Sequence, residues 1–151
     1  MFDPTKEVPS LELCKELKEL GFPQDIGGWY WCKIKELPPS PIRRWKLVYA
    51  NSITQLDKKL RRRFDKVYEI IKAPTLREVL EWLPIEIEYK GETLYLEFDR
   101  PDETQFLVSY CYAYERICPI AIGDDEIINA PTKMLIYLTH KGYVSFGQKE
   151  G

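Results

Sequence analysis

The strongest constraint on this chain is a set of three amphipathic segments that carry their own start and stop signals. Residues 10–21 read SLELCKELKELG. Ser10 is a favoured N-cap, and Gly21 supplies a left-handed stop. Leu13, Cys14, Leu17 and Leu20 form one apolar stripe, with Lys15, Glu16, Lys18 and Glu19 on the opposite face. Residues 75–84 (TLREVLEWLP) carry the capping-box pair Thr75 and Glu78, the stripe Leu76, Val79, Leu80 and Leu83, and a terminating Pro84. Residues 124–143 open on three acids, which suit a helix N-terminus, and close on Gly142. Pro131 either kinks this helix or delays its start to Asn129. Such faces exist to be buried, so the rest of the chain must supply a surface to bury them.

That surface is a sheet. Residues 28–37 alternate, with Trp29 and Trp31 on one side and Tyr30, Cys32 and Ile34 on the other. Residues 44–50 place Trp45, Leu47 and Tyr49 on one face. Residues 85–89 and 93–99 alternate around Lys90-Gly91-Glu92, which predicts a hairpin with one wet face. Residues 105–116 are uncharged until Glu115, which predicts a central strand with Phe106, Val108, Tyr110, Tyr112 and Tyr114 on one face. Ser52 and Gln55 resemble a capping box, and Ile53, Leu56, Leu60, Phe64 and Val67 follow helical spacing, so a basic helix is expected over 53–66. Residues 38–41 (PPSP) form a loop, residues 68–72 turn extended, and residues 100–103 make a turn. The fold class is α+β: an antiparallel sheet of four to six strands with two or three helices packed on one face. A single domain over residues 1–151 is expected, with residues 38–72 as a candidate basic insertion.

Composition narrows the class. No apolar run approaches the roughly 18 residues of a membrane span, and the start MFDPTKEVPS lacks the basic and apolar parts of a signal peptide. The expected location is the cytoplasm, with no membrane partner. Cys14, Cys32, Cys111 and Cys118 show no zinc-knuckle spacing and read as free thiols. With His140 as the one histidine, no metal and no cofactor are expected. The net charge is −2, but residues 43–72 hold ten Lys/Arg against Asp57, Asp65 and Glu69, whereas residues 73–126 hold thirteen acids against four bases. Opposite halves either pair internally or present two faces of opposite sign.

Four motifs occur in order: SLELCKELKELG, the aromatic strand WYW, APTLREVLEWLP, and KMLIYL near the C-terminus. Together they resemble a family of small uncharacterised bacteriophage and prophage proteins. The resemblance covers residues 10–31, 73–84 and 125–142. Residues 38–72 have no counterpart in the family, and Pro131 and Thr132 stand where its last helix is usually alanine-rich. The resemblance implies origin and fold, and attaches no activity.

No nucleophile, base and charge stabiliser occur together in the pattern, so the chain is read as a binding protein and not as an enzyme. Glu86, Glu88, Glu97 and Asp99 are explained by a solvated sheet face. The candidate ligand-binding groups are the aromatics Trp29, Trp31, Trp45, Tyr110 and Tyr112, which suit base stacking, and Arg43, Arg44, Arg61, Arg62 and Arg63, which suit phosphates. Core packing of those rings and a solvated basic helix face are the competing explanations. The expected function is that of a phage or prophage accessory protein, of an anti-defence kind, that sequesters a nucleotide-type host signal. The alternatives are a protein–protein module that blocks a host protein and a nucleic-acid-binding accessory factor. Asp57 and Asp65 interrupt the basic run and weigh against nucleic acid. The oligomeric state stays open, with a homo-oligomer among the options.

Overall fold

The computed structural model describes residues 3–39 and 42–148. Ser40 and Pro41, part of the expected proline loop, lie outside the described residues. The architecture is α+β, with two antiparallel sheets of three and four strands. The chain divides into two compact units, residues 1–74 and 75–151.

In the first unit, helix α1 (Leu11–Glu19) is capped by Ser10, whose hydroxyl accepts a hydrogen bond from Leu13 N at 3.4 Å. Strands β1 (Gly28–Lys35), β2 (Arg43–Ala50) and β3 (Lys66–Ala73) form a sheet in the order β2-β1-β3, so β1 is central. Helix α2 (Ile53–Arg61) joins β2 to β3. Strand alternation sends β1 side chains to both faces, and both faces are covered. Tyr30, Cys32 and Ile34 pack with Val48, Ala50 and the α2 anchors Leu56 and Leu60. On the other face Trp29, Trp31, Trp45 and Leu47 pack around Cys14 of α1, Val8 and Ile71. The helices of this unit therefore lie on opposite faces of its sheet, not on one. Residues 38–72 supply two of the three strands, so they form the body of the unit.

The loop before β1 is held by side chains. Lys72, fully buried, donates from Nζ to the Gly27 carbonyl, and its ammonium lies 5.3 Å from the Tyr30 ring centroid. The Tyr30 hydroxyl donates to Gln24 O and accepts from Gly27 N, both at 2.9 Å. Gly27 has φ +79°, and a Cβ there would meet the Asn51 carbonyl oxygen at 2.7 Å. Helix α2 ends at Arg61, short of the expected Lys66. Phe64 turns inward to the core, and Lys66 is needed in the ladder opposite Lys35.

In the second unit, helix α3 (Leu76–Leu80) starts with both halves of the Thr75–Glu78 capping box in place. Strands β4 (Glu86–Tyr89), β5 (Glu92–Asp102), β6 (Gln105–Cys111) and β7 (Ile120–Asp124) pair in sequence order. Helix α4 (Asn129–His140) begins where Pro131 allows, one turn after the acids. Three expectations are corrected. Strand β5 runs through Pro101 to Asp102, with the proline at a register shift, where its missing N–H is tolerated. Strand β6 ends at Cys111, so Tyr112 and Tyr114 leave the sheet, and Tyr114 is fully exposed. Leu80 is 37% exposed, so the buried anchors here are Val79 in α3 and Leu83 just after it.

Leu94 is fully buried opposite Ile87. Replacing Leu94 with Ala should cost about 2–5 kcal/mol, whereas Leu80→Ala should cost below about 1 kcal/mol, because part of its side chain already meets water. Urea unfolding of the two variants checks the ordering, and equal losses would contradict it.

Candidate functional site

The eight candidate ligand-binding residues of the first unit do not converge on one place. Trp29, Trp31 and Trp45 share the α1 face of the first sheet. The Trp31 indole donates to Pro9 O at 3.4 Å, Lys15 Nζ lies 5.1 Å from the Trp45 ring centroid, and Trp29 meets Tyr49 edge-on at 5.3 Å. These rings are partly buried by α1 and the segment before it. Arg43 stacks on Tyr68 at 5.1 Å, Arg44 pairs with Glu36, and Arg61 donates to Asp57 at 2.8 Å. Tyr110 and Tyr112 belong to the second unit. Tyr110 is fully buried, its hydroxyl donates to Pro84 O at 2.8 Å, and burial pushes its pKa up. Tyr112 follows the end of β6, where its N–H donates to Ile117 O at 3.1 Å.

Arg62 and Arg63 do fall in a shaped place. Helix α2 starts firmly: Ser52 Oγ accepts from Gln55 N at 3.1 Å, Gln55 Oε1 accepts from Asn51 N at 2.7 Å, and Asp25 accepts from Ile53 N at 2.8 Å. From there α2 runs beside β2 with Leu56 and Leu60 buried. One helical face therefore turns toward the outer edge of β2. A depression of about 640 Å³ lies between them, walled by Tyr49 and Asn51 on one side and by Lys58, Lys59, Arg62 and Arg63 on the other. A second depression of about 220 Å³ continues it past Lys46 to Phe64, and the two share Tyr49, Lys59 and Arg63.

The electrostatics of this groove are one-sided. Lys46, Lys58, Lys59, Arg62 and Arg63 line it, and no acid does among the described residues. None of these five makes an ion pair among the described residues, though Lys46 lies 5.3 Å from the Phe64 ring centroid. Like charges along one groove raise its positive potential, and an entering anion relieves their mutual repulsion. The sequence run Lys58–Arg63 hides this sorting. Residues 55, 59, 62 and 63 share a face at helical spacing, whereas Arg61 lies on the face of its partner Asp57. That spacing is the signal that separates Arg61 from Arg62 and Arg63. Lys46, Tyr49 and Gln55 enter the site because β2 is an edge strand, which the sequence does not disclose.

The second unit holds a different surprise. Cys111 and Cys118 form a disulfide, which replaces the reading of four free thiols. The chain leaves β6 after Cys111 and returns, closing a loop seven residues long in sequence separation, with the two Cα atoms 4.0 Å apart. Cys14 and Cys32 remain free and buried, and burial pushes both thiols up to about 12. Thiols held so far above neutral pH are poor nucleophiles. An apolar hollow of about 450 Å³ in the same unit is lined by Leu76, Phe98, Phe106 and Ile127, with Arg100 at its rim. No helix among the described residues is long and apolar enough to cross a membrane.

A thiol count checks the cysteine assignment. Oxidised native protein should give no fast reaction with Ellman's reagent at pH 8, and oxidised unfolded protein should give two thiols. Rapid labelling of the folded chain, or four thiols without reductant, would contradict the structure. Comparison with protein-family models, curated proteins and solved structures returns no match.

Proposed function

We propose that this chain is a non-enzymatic accessory binding protein of the bacteriophage or prophage kind, and that it acts by holding an anionic host component in the basic groove beside α2. The single observation that carries this reading is the continuous groove lined by five cations and no acid among the described residues. The motif resemblance supports the phage origin, and action in the host cytoplasm follows from that origin. In a reducing cytoplasm Cys111 and Cys118 would become thiols, but the groove is built from residues 46–64 and contains neither of them.

The geometry shifts the weight among anionic partners. A nucleotide sponge needs rings and cations in one pocket. Here Trp29, Trp31 and Trp45 lie on one face of the sheet, whereas α2 and its cations lie on the other. A nucleotide in the groove would meet the phosphate-binding cations and one exposed ring, Tyr49, and none of the three tryptophans. An anion with charge spread along its length fits the groove better than a compact one.

The test is retention on immobilised heparin with a panel of mono-, di- and cyclic dinucleotides in parallel. Despite the chain's net negative charge, the wild type should bind heparin at low salt and release as salt rises. Replacing Lys58, Lys59, Arg62 and Arg63 together with Ala should abolish retention while moving the melting temperature by no more than about 3 °C, since these side chains are exposed and form no ion pair among the described residues. Wild-type protein that binds no anion at low salt, or a variant that binds as well as wild type, would overturn the reading.

A further inference from the structure

The groove has a second property that charge alone does not use. One of its walls is the outer edge of β2, which pairs with β1 on one side and with no strand on the other among the described residues. Alternate residues of an edge strand present both N–H and C=O groups outward. Between Lys46 and Ala50 that edge borders the two depressions. The opposite wall is the cationic face of α2. A free strand edge beside a helix, with a trough between them, is the geometry in which an extended peptide adds to a sheet.

We propose that the groove binds an extended acidic segment of a host protein as an added strand along β2, with acidic side chains alternating with apolar ones. This rests on the reading of the groove as an anion site and specifies its partner. The alternation follows from the pleat. A strand laid beside β2 sends every second side chain to the α2 face, where Lys58, Lys59, Arg62 and Arg63 are exposed. The others emerge beside Leu47 and Tyr49, and Tyr49 is 53% exposed. Five residues of partner would span Lys46–Ala50, roughly 17 Å at 3.3–3.4 Å per residue.

Other occupants fit less well. A phosphodiester chain accepts hydrogen bonds but donates none to the outward carbonyls of β2, and the groove wall offers one exposed ring, Tyr49, for stacking. A second copy paired edge to edge about a two-fold axis runs antiparallel and would set the α2 cations of the two copies on the same face across the new ladder, adding like charge to a groove that already holds five cations. An acidic strand meets both the charge and the main-chain requirement. The remaining explanation is that Lys46 and the α2 cations only guard a bare edge against aggregation.

The experiment uses the full chain and the synthetic peptide acetyl-Glu-Val-Glu-Tyr-Glu-Val-amide, with a matched peptide N-methylated at alternate residues. The expected result is saturable binding, weakened at least tenfold by N-methylation and at least tenfold by the quadruple Ala substitution at Lys58, Lys59, Arg62 and Arg63. Amide exchange should also slow at alternate β2 residues between Lys46 and Ala50. Equal binding of the N-methylated peptide would overturn strand addition. So would heparin binding without peptide binding, or tighter binding of an eight-nucleotide oligothymidylate than of the peptide. Each of these leaves the anion site standing. No binding to peptide, heparin or oligonucleotide at low salt would overturn both readings and leave edge protection alone.

Discussion

The first unit depends on β1 being buried on both faces at once. Tyr30, Cys32 and Ile34 are fully buried beneath α2, and Trp29 and Trp31 are packed beneath α1. Cover on both faces leaves β1 wet only toward its C-terminal end, where Lys33 is exposed opposite Glu69, so most charged groups nearby go to an edge, an end or a helix surface. This is why the cations of residues 43–66 collect along β2 and α2, and why Lys72 is inside with Gly27 O and the Tyr30 ring among the groups around its ammonium. Losing the Tyr30 ring would remove the packing under α2, the hydroxyl that ties Gln24 to Gly27, and the neighbour of the buried ammonium.

The second unit solves the same problem differently. Its sheet turns Leu94, Val108 and Tyr110 inward and leaves Tyr95, Glu97 and Asp99 on the wetter side of β5. Tyr110 keeps a polar group in the interior by donating to Pro84 O, just after the short helix α3. Where β6 gives out, the disulfide ties its end to the approach of β7, so the exposed loop around Tyr114 is closed covalently and not by packing.

Much of this was legible in the residues. Ser10, Thr75 with Glu78, and Gly21 announce helix ends because caps act within a few residues of one another. The two faces of β1 were legible for the same local reason. What failed was long-range. The stripe at 53–67 continues at helical spacing past Arg61, but Lys66 is claimed by the ladder with Lys35, and tertiary pairing outweighs local periodicity. Tyr112 and Tyr114 continue the alternation of β6, but the chain turns back after Cys111, where Tyr112 N–H donates to Ile117 O and Cys111 is bridged to Cys118. The Cys111–Cys118 pairing depends on a loop's return path, which spacing does not reveal. The candidate site divided along the same line. Aromatics and arginines were each identified by type, and only the topology shows that the sheet separates Trp29 and Trp31 from Arg62 and Arg63.

The central claim is that anion recognition belongs to the β2–α2 groove and not to the tryptophan face. Amide and indole NMR shifts during titration with inorganic tripolyphosphate test it most directly. The account predicts shifts confined to residues 46–64, strongest near Lys58, Lys59, Arg62 and Arg63, with the Trp29 and Trp31 indoles unmoved. Indole shifts at Trp29 and Trp31 with a silent α2 would contradict it.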